Sequence, residues 1–457
     1  MEHSAVVRIY ATTQVPNYSS PWQSETPASC TGSGVVLDSG LVLTGAHVIA
    51  DATFVQVQKL SDPNKYVAKV ESVCHDADLA VLRVEGERFM EDVSPAELGE
   101  LPALRDPVAV VGYPVGGEEI SVTEGVVSRV EVQRYAHSQR HLLAITVDAA
   151  INEGNSGGPV LKDGKVIGIA FQSLDDAENI GEMVPTPIIK RFLRGISEPV
   201  LQVPAFGIMT QHLENSMLRN SLGMREDQSG VCVTIIQYGT GAYDAFQVGD
   251  VLLEIAGHSI ANNGTIRYRE QYRTSFAVLL GERAVGDTMP FKLLRGGEEI
   301  EVDLALTPAR FLVPRSAFDC SASYYIFGGI VFQPLSRNVL ACWNDWSDRG
   351  PKEFLHMYYS GTVTAEQQEV VIIGQVLADE INTGYEALHT ESVQSVNGAL
   401  PRNMRHFVQL IDECDGRVEL RTADGNRIVF DTGPARAADG QILQRYNIST
   451  DRSADLA

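Results

Sequence analysis

Cysteine is scarce in this chain: six in 457 residues, at positions 30, 74, 232, 320, 342 and 414. None forms a C-x-x-C pair and none stands at metal-ligand spacing from a histidine, which argues against a dense disulfide framework or a zinc site. The expectation is reduced, mostly buried thiols, no metal and no cofactor. Long apolar runs are also missing, and no stretch reaches the ~18 residues of a membrane-spanning helix. The start, MEHSAVVRIYATT, has no basic segment ahead of a short apolar run, unlike a secretory signal. Positive charge is in deficit: 36 Lys and Arg face 59 Asp and Glu, a formal charge of −23. That balance disfavours nucleic-acid backbones and anionic membranes as partners, since both need a basic surface. A soluble intracellular protein is expected, of the cytoplasm, the nucleus or an organelle interior.

What is present is a succession of short β-branched runs. Residues 1–196 alternate such runs (SGVVLD, GLVLTGAHVI, LAVLRV, PVAVVGYP, LAITVDA) with Gly, Asp and Asn turns, the pattern of a sandwich or barrel. Between PVL and KVIGIAF, the residues KDG at 162–164 signal a hairpin. PTPIIKRFLRGI then reads as a closing helix, and SEPVLQVPAF, with two prolines, as a linker. Two further units follow, 197–310 and 311–457. Each has an extended FG strand, two more strands, a strand ending in AG or NG (Gly257, Gly398), a helix and closing strands. The shared order suggests a weak internal repeat.

One decapeptide carries chemistry. INEGNSGGPV sets Ser156 among Gly154, Gly157 and Gly158. Acyl transfer needs a nucleophile, a base, a group that orients the base, and donors aimed at the developing oxyanion. Glycines allow a turn tight enough for backbone N–H groups to converge. The string also satisfies the G-x-S-x-G elbow of α/β-hydrolases, but that elbow needs a helix after the serine, and here Pro159 and a hairpin follow. A base is offered by His47 in LVLTGAHVIA. Its orienting carboxylate is Asp78 or Asp76 in HDADLAVLRV, and Asp78 is preferred because the apolar run directly after it would hold it in place. The chain order His47, Asp78, Ser156 is the chymotrypsin-type order.

Together TGAHV, DADLAVL and GNSGGPV, with TGSGVVLDSGLVLTGAHVI, VVGYPVGG and IGIAFQS, resemble the trypsin-like proteases of the Deg (HtrA, Do-like) family. ISVTEGVVSRVEV, DAENIG and QVLADEINTGYE bring the likeness nearest to its eukaryotic and organellar members. The resemblance implies a mainly β chain: a chymotrypsin-like double β-barrel protease domain followed by two PDZ-like α+β domains. It implies an ATP-independent serine endopeptidase for unfolded or damaged proteins. His47 is then the general base, Asp78 its orienter and Ser156 the nucleophile, with an oxyanion hole on the backbone of Gly154, Asn155 and Ser156. The activation loops would be 112–117, 151–154 and 172–183. Ile151 and Phe171 would line an S1 pocket suited to small or medium apolar side chains. Phe206-Gly207-Ile208 resembles a PDZ carboxylate-binding loop for peptide ligands. The third unit departs from that pattern, because Phe327-Gly328-Gly329-Ile330 inserts a glycine and residues 340–368 exceed a minimal PDZ loop. Assembly or an internal segment is expected there in place of free C-termini. The family also implies a homotrimer or a multiple of trimers; in YSSPWQ (18–23) Tyr18 and Trp22 offer aromatic anchors, with ordinary core packing as the other reading of both. A chaperone-like holdase or PDZ scaffold with weak proteolysis is the alternative.

Overall fold

The computed structural model describes residues 3–38, 40–114, 119–152, 154–173, 180–198 and 200–457. Twelve strands form two closed barrels. The first contains β1 (Val6–Thr13), β2 (Ala28–Asp38), β3 (Leu41–Thr44), β4 (Ala52–Lys59), β5 (Lys65–Cys74) and β6 (Leu79–Val84), in the order β1-β2-β3-β6-β5-β4. The second contains β7 (Pro107–Gly112), β8 (Ser121–Arg134), β9 (His141–Val147), β10 (Pro159–Lys162), β11 (Lys165–Ser173) and β12 (Gly181–Pro185). Its order, β7-β8-β9-β12-β11-β10, repeats that of the first. Closure removes every free sheet edge. Inward Val, Leu and Ile side chains fill both barrels; Ile9, Val57, Leu43, Val110, Ile145 and Ile169 are each fully buried. The KDG signal is a two-residue hairpin turn between Lys162 and Lys165, with Asp163 and Gly164 both left-handed, as such a turn requires.

The closing helix, Thr186–Arg194, buries Ile188, Ile189 and Phe192. Each such side chain contributes roughly 1.5–3 kcal/mol by leaving water. The linker beyond it is not loose. Leu201 N–H donates to Val73 O at 2.8 Å, Ser72 Oγ donates to Glu198 O at 2.7 Å, and Val203 is fully buried.

After the linker come β13 (Pro204–Ala205), β14 (Ile208–His212), β15 (Val231–Ile236), β16 (Val251–Ile255), β17 (His258–Ser259), β18 (Thr265–Tyr268), β19 (Tyr272–Ser275), β20 (Thr288–Arg295), β21 (Glu298–Ala305) and β22 (Thr307–Pro308). The main sheet runs β14-β15-β16-β20-β21, with β17 paired to β16. The expected helix between β17 and β20 is a seven-residue 3-10 helix, Phe276–Glu282. A hairpin that was not expected, β18-β19, precedes it, because TIRY and YRTS alternate apolar and polar residues at the period of a strand. These elements seat on the second barrel. Tyr272 Oη donates to Pro102 O at 2.6 Å, and Val132 N–H donates to Thr274 Oγ1 at 3.0 Å.

The chain divides into two compact units. One holds Met1–Thr13, Pro27–Ile236 and Thr240–Ala309; the other holds Gln14–Thr26, Gln237–Gly239 and Arg310–Ala457. In the second, β23 (Tyr325–Phe327), β24 (Ile330–Pro334), β25 (Val371–Val376), β26 (Glu391–Val396), β27 (Arg417–Thr422) and β28 (Arg427–Asp431) form one sheet in sequence order. The strands β24 to β28 reproduce the order β14-β15-β16-β20-β21, and Ala256-Gly257 and Asn397-Gly398 make equivalent left-handed turns. The long 340–368 segment holds two helices, Trp346–Arg349 and Lys352–Ser360. Tyr18 and Trp22, the expected aromatic anchors, are partly buried and pack against clusters of this unit. Trp22 meets Tyr324 edge-on at 6.0 Å, and Gln333 Nε2 donates to Tyr18 O at 3.2 Å. Cys30, Cys320 and Cys342 are exposed, contrary to the expectation of mostly buried thiols. Among the described residues no helix is long and apolar enough to cross a membrane.

Candidate active site

β3 ends at Thr44 and turns through Gly45 into the one-turn helix Ala46–Ile49, which carries His47. A Cβ at Gly45 would lie 2.7 Å from His47 Cε1, so glycine there lets the ring fold back over its own turn. β5 passes through the 3-10 turn His75–Ala77 to Asp78, which is left-handed (φ 52°, ψ 45°), a conformation aspartate tolerates. That twist swings the Asp78 carboxylate under His47. Asp78 Oδ1 accepts the His47 backbone N–H at 2.8 Å, and Oδ2 meets His47 Nδ1 at 2.7 Å. Asp78 is 1% exposed and His47 27%.

Asp76, the rival carboxylate, points elsewhere. Its Oδ2 accepts from Arg140 Nη1 and from the Val203 N–H, both at 2.9 Å, so it ties the linker to the barrels.

The charges in this pair reinforce each other. Burial alone would push the Asp78 carboxyl up, but the His47 ring, the His137 ring and two hydrogen bonds from His47 outweigh it and hold it below its ordinary value. Burial likewise opposes charge on His47, yet the Asp78 charge and hydrogen bond prevail and raise the imidazole above 6.5. Nδ1 is thereby fixed as the donor, and Nε2 has no partner among the described residues.

The serine loop joins β9 to β10 and closes on this pair. Ser33 N–H, from β2, donates to Ser156 O at 2.9 Å. Gly157 has φ 81°, and a Cβ there would fall 2.3 Å from Thr44 Oγ1 and 3.0 Å from Gly45 N. The residue after the serine thus packs directly against the residues leading to His47, a contact only glycine permits. Among the described residues no acceptor takes the N–H of Gly154 or of Ser156. The Asn155 N–H is different. It donates to Asn152 O at 3.0 Å, so it is spent inside the loop and drops out of the expected oxyanion set.

Ser33 was given no role by its sequence. It is fully buried, and its hydroxyl donates to Gly154 O at 2.7 Å while accepting the Tyr113 N–H at 2.8 Å. Its carbonyl accepts from Thr44 Oγ1 at 2.7 Å. The only hint was its place between two glycines in TGSGVV. A second unforeseen feature is an imidazole pair. His75 Nδ1 and His137 Nε2 lie 2.9 Å apart, with the His137 ring 6.3 Å from that of His47.

Ile151 and Phe171 are both buried. Ile151 packs over Gly181, where a Cβ would meet it at 2.4 Å, and Phe171 faces Tyr135 at 4.4 Å between centroids. Phe206 is buried against Phe276, Gly207 is left-handed (φ 70°), and Ile208 opens the edge strand β14. Of the expected activation loops, residues 115–117, 153 and 174–179 lie outside the described residues.

Residues 32–169 match the trypsin-like peptidase domain and residues 313–455 the PDZ domain. Protease Do-like 2, chloroplastic, of Arabidopsis thaliana is 38% identical over 459 residues, 99% of this chain and 75% of that protein. Protease Do-like 4, mitochondrial, of the same plant is 36% identical over 462 residues, 99% and 85% respectively. Among solved structures, the HtrA-type protease AlgW with decapeptide superposes with a TM-score of 0.51 at 24% identity, over 67% of this chain and 96% of that one. With fold, motif order and full-length identity in agreement, the chain belongs to the Deg/HtrA family of Do-like serine proteases.

Proposed function

We propose that the chain is an ATP-independent serine endopeptidase for unfolded or damaged proteins, with His47, Asp78 and Ser156 as its triad. The observation that carries this is the His47–Asp78 pair at 2.7 Å, its Nε2 unengaged, beside the glycine-lined Ser156 turn. Ser156 Oγ attacks the scissile carbonyl carbon while its proton passes to His47 Nε2. The imidazolium is stabilised by Asp78, and the oxyanion is held by the N–H groups of Gly154 and Ser156. His47 then protonates the leaving amine as the C–N bond breaks. Water, deprotonated by His47, hydrolyses the acyl-enzyme and releases Ser156. Ile151 and Phe171 are assigned to the S1 wall, and their bulk favours small or medium apolar side chains.

The unit 197–310 is assigned as a PDZ-type peptide receptor. β14 lies at the edge of its sheet, is largely exposed, and begins directly after the left-handed Gly207. An extended peptide can add to such an edge with its terminal carboxylate on the loop amides. A trimeric assembly is part of this reading, as is an organelle interior, which the mitochondrial and chloroplastic names of the relatives support.

Casein turnover with a fluorophosphonate label tests the nucleophile. Label on Ser156, and loss of both label and turnover in Ser156→Ala, are expected. Equal cleavage by the variant refutes the assignment.

A further inference from the structure

The loop Phe327-Gly328-Gly329-Ile330 sits where a PDZ fold holds a peptide's terminal carboxylate. Gly328 and Gly329 are both left-handed, φ 58° and 74°, so their N–H groups turn to one side. The turn is clamped through its carbonyls. Asn382 Nδ2 donates to Gly328 O at 2.9 Å and to Leu377 O at 2.8 Å, and the Leu377 N–H donates to Gly329 O at 2.7 Å. Its N–H side is filled. Gly329 N–H donates to Asp439 Oδ1 at 3.0 Å, and the Gly328 amide bears on the same carboxylate.

Asp439 projects from the helix Thr432–Arg445 and is 8% exposed. Among the described residues it makes no ion pair. Arg445 on the same helix is engaged by Asp379, and Arg436 donates to the carbonyls of Ile411 and Asp412. The carboxylate is therefore held by backbone amides, as a peptide terminus would be. The arrangement is costly: burial pushes the Asp439 carboxyl up to about 6, against the pull of the two glycine amides.

The strand slot is filled as well. β23 pairs with β24 through Tyr325↔Phe332, Ile326↔Val331 and Phe327↔Ile330, antiparallel and with its C-terminal end at the loop. Its far side is covered in turn, with Ile326 N–H donating to Asp451 O at 2.7 Å and Ser453 N–H to Tyr324 O at 3.0 Å. Among the described residues β14, the counterpart of β24, has no such neighbour, because β13 leaves to pair with β22.

We infer that the third unit is liganded by its own chain: Asp439 stands in for a peptide's terminal carboxylate and β23 for its strand. This unit receives no peptide C-terminus, and capture falls to the second unit, a clause that rests on the reading proposed above.

Hydrogen exchange read by mass spectrometry on full-length Ser156→Ala protein tests this, with an apolar decapeptide bearing a free or an amidated C-terminus as probe. The free-carboxylate peptide is expected to slow exchange at 205–212 and leave 325–335 unchanged. Asp439→Ala, added to Ser156→Ala, is expected to speed exchange at 328–330 about tenfold or more, since the Gly329 amide loses its acceptor. Asp439→Asn keeps an acceptor oxygen in the same shape, so a smaller rise is expected in a chain that stays folded. Peptide protection of 325–335 with Asp439 in place, or unchanged exchange at 328–330 in both Asp439 variants, would overturn the inference. If the peptide protects neither segment while the Asp439 variants behave as stated, self-liganding stands and the receptor role of the second unit falls.

Discussion

The Ser33 hydroxyl donates to the Gly154 carbonyl at 2.7 Å, so a residue of the first barrel sets the plane of the peptide group after Gly154 in the second. The same oxygen accepts from Tyr113 N–H. Ser33→Ala would leave that carbonyl and that N–H buried without partners, at about 1–3 kcal/mol each. Freed from Ser33, the loop would present its donors less accurately to an oxyanion. The expected result is a fall in kcat of roughly 10- to 100-fold with KM little changed, less than the ~10²–10³ for outright loss of one donor. Steady-state kinetics on a fluorogenic peptide, with the fluorophosphonate labelling rate beside them, would check it. An unaltered kcat would mean the loop holds its shape without Ser33.

Asp76 and Asp78, two residues apart, should separate cleanly under mutation. Asp78→Asn removes the carboxylate that fixes the His47 tautomer, and the Ser-His-Asp template loses ~10⁴ in kcat for that change. Asp76→Asn touches neither His47 nor Ser156. It weakens contacts to Arg140 and Val203, so kcat should hold within a few-fold while thermal stability falls by about 1–2 kcal/mol. Kinetics paired with a melting curve distinguishes the two. A large loss of kcat in Asp76→Asn with stability intact would reverse the assignment.

The His47–Asp78 pair and the glycine-lined turn of Ser156, the proposed triad, were nameable from short stretches whose glycines or apolar neighbours already state their local geometry: TGAHV, DADLAVL, GNSGG. Ser33 was not, because its role exists only once β2 meets a loop 121 residues further on. The hairpin at Lys162–Lys165 was legible, since Asp-Gly specifies its turn locally. The hairpin ahead of the 3-10 helix in the unit 197–310 was not foreseen, although the β-period of TIRYREQYRTS marks it. Tyr18 and Trp22 read as aromatic anchors or as core, because an aromatic side chain seeks burial wherever it lies; their contacts within the chain, Gln333 for Tyr18 and Tyr324 for Trp22, come only with the fold. Asp439 is one polar residue on a polar helix; its meaning comes wholly from Gly329 on the facing turn.

The acid limb of the activity profile should lie above pH 6.5. As the proposed general base His47 must be a neutral imidazole, and its pairing with Asp78 raises it, so protonation sets in at a higher pH than for an isolated histidine. Activity should rise as pH increases through that value. In the residual activity of Asp78→Asn the limb should move to lower pH, because burial then acts without the carboxylate to oppose it. A kcat/KM profile from pH 5 to 9 for both proteins checks this. A limb that stays put in the variant would assign it to a group other than His47.

Asp439 makes an opposite kind of prediction. Its carboxyl is raised from 3.8 to about 6 on folding, so between those values the folded chain binds more protons than the unfolded one. The favourable contribution is complete below about pH 4 and is lost as pH climbs through 6, a cost of about 3 kcal/mol at neutral pH. Asp439→Asn cannot ionise. It should escape most of that cost, stabilising this unit by about 1–2 kcal/mol at pH 7 and flattening its dependence between pH 4 and 7. All three tryptophans, Trp22, Trp343 and Trp346, belong to this compact unit, so tryptophan emission in urea follows its unfolding within the intact chain. If Asp439→Asn is instead markedly less stable than the parent at pH 7, the ionised carboxylate gains more from the Gly328 and Gly329 amides than burial takes away. The loop would then bind negative charge for net gain, as a working carboxylate receptor does.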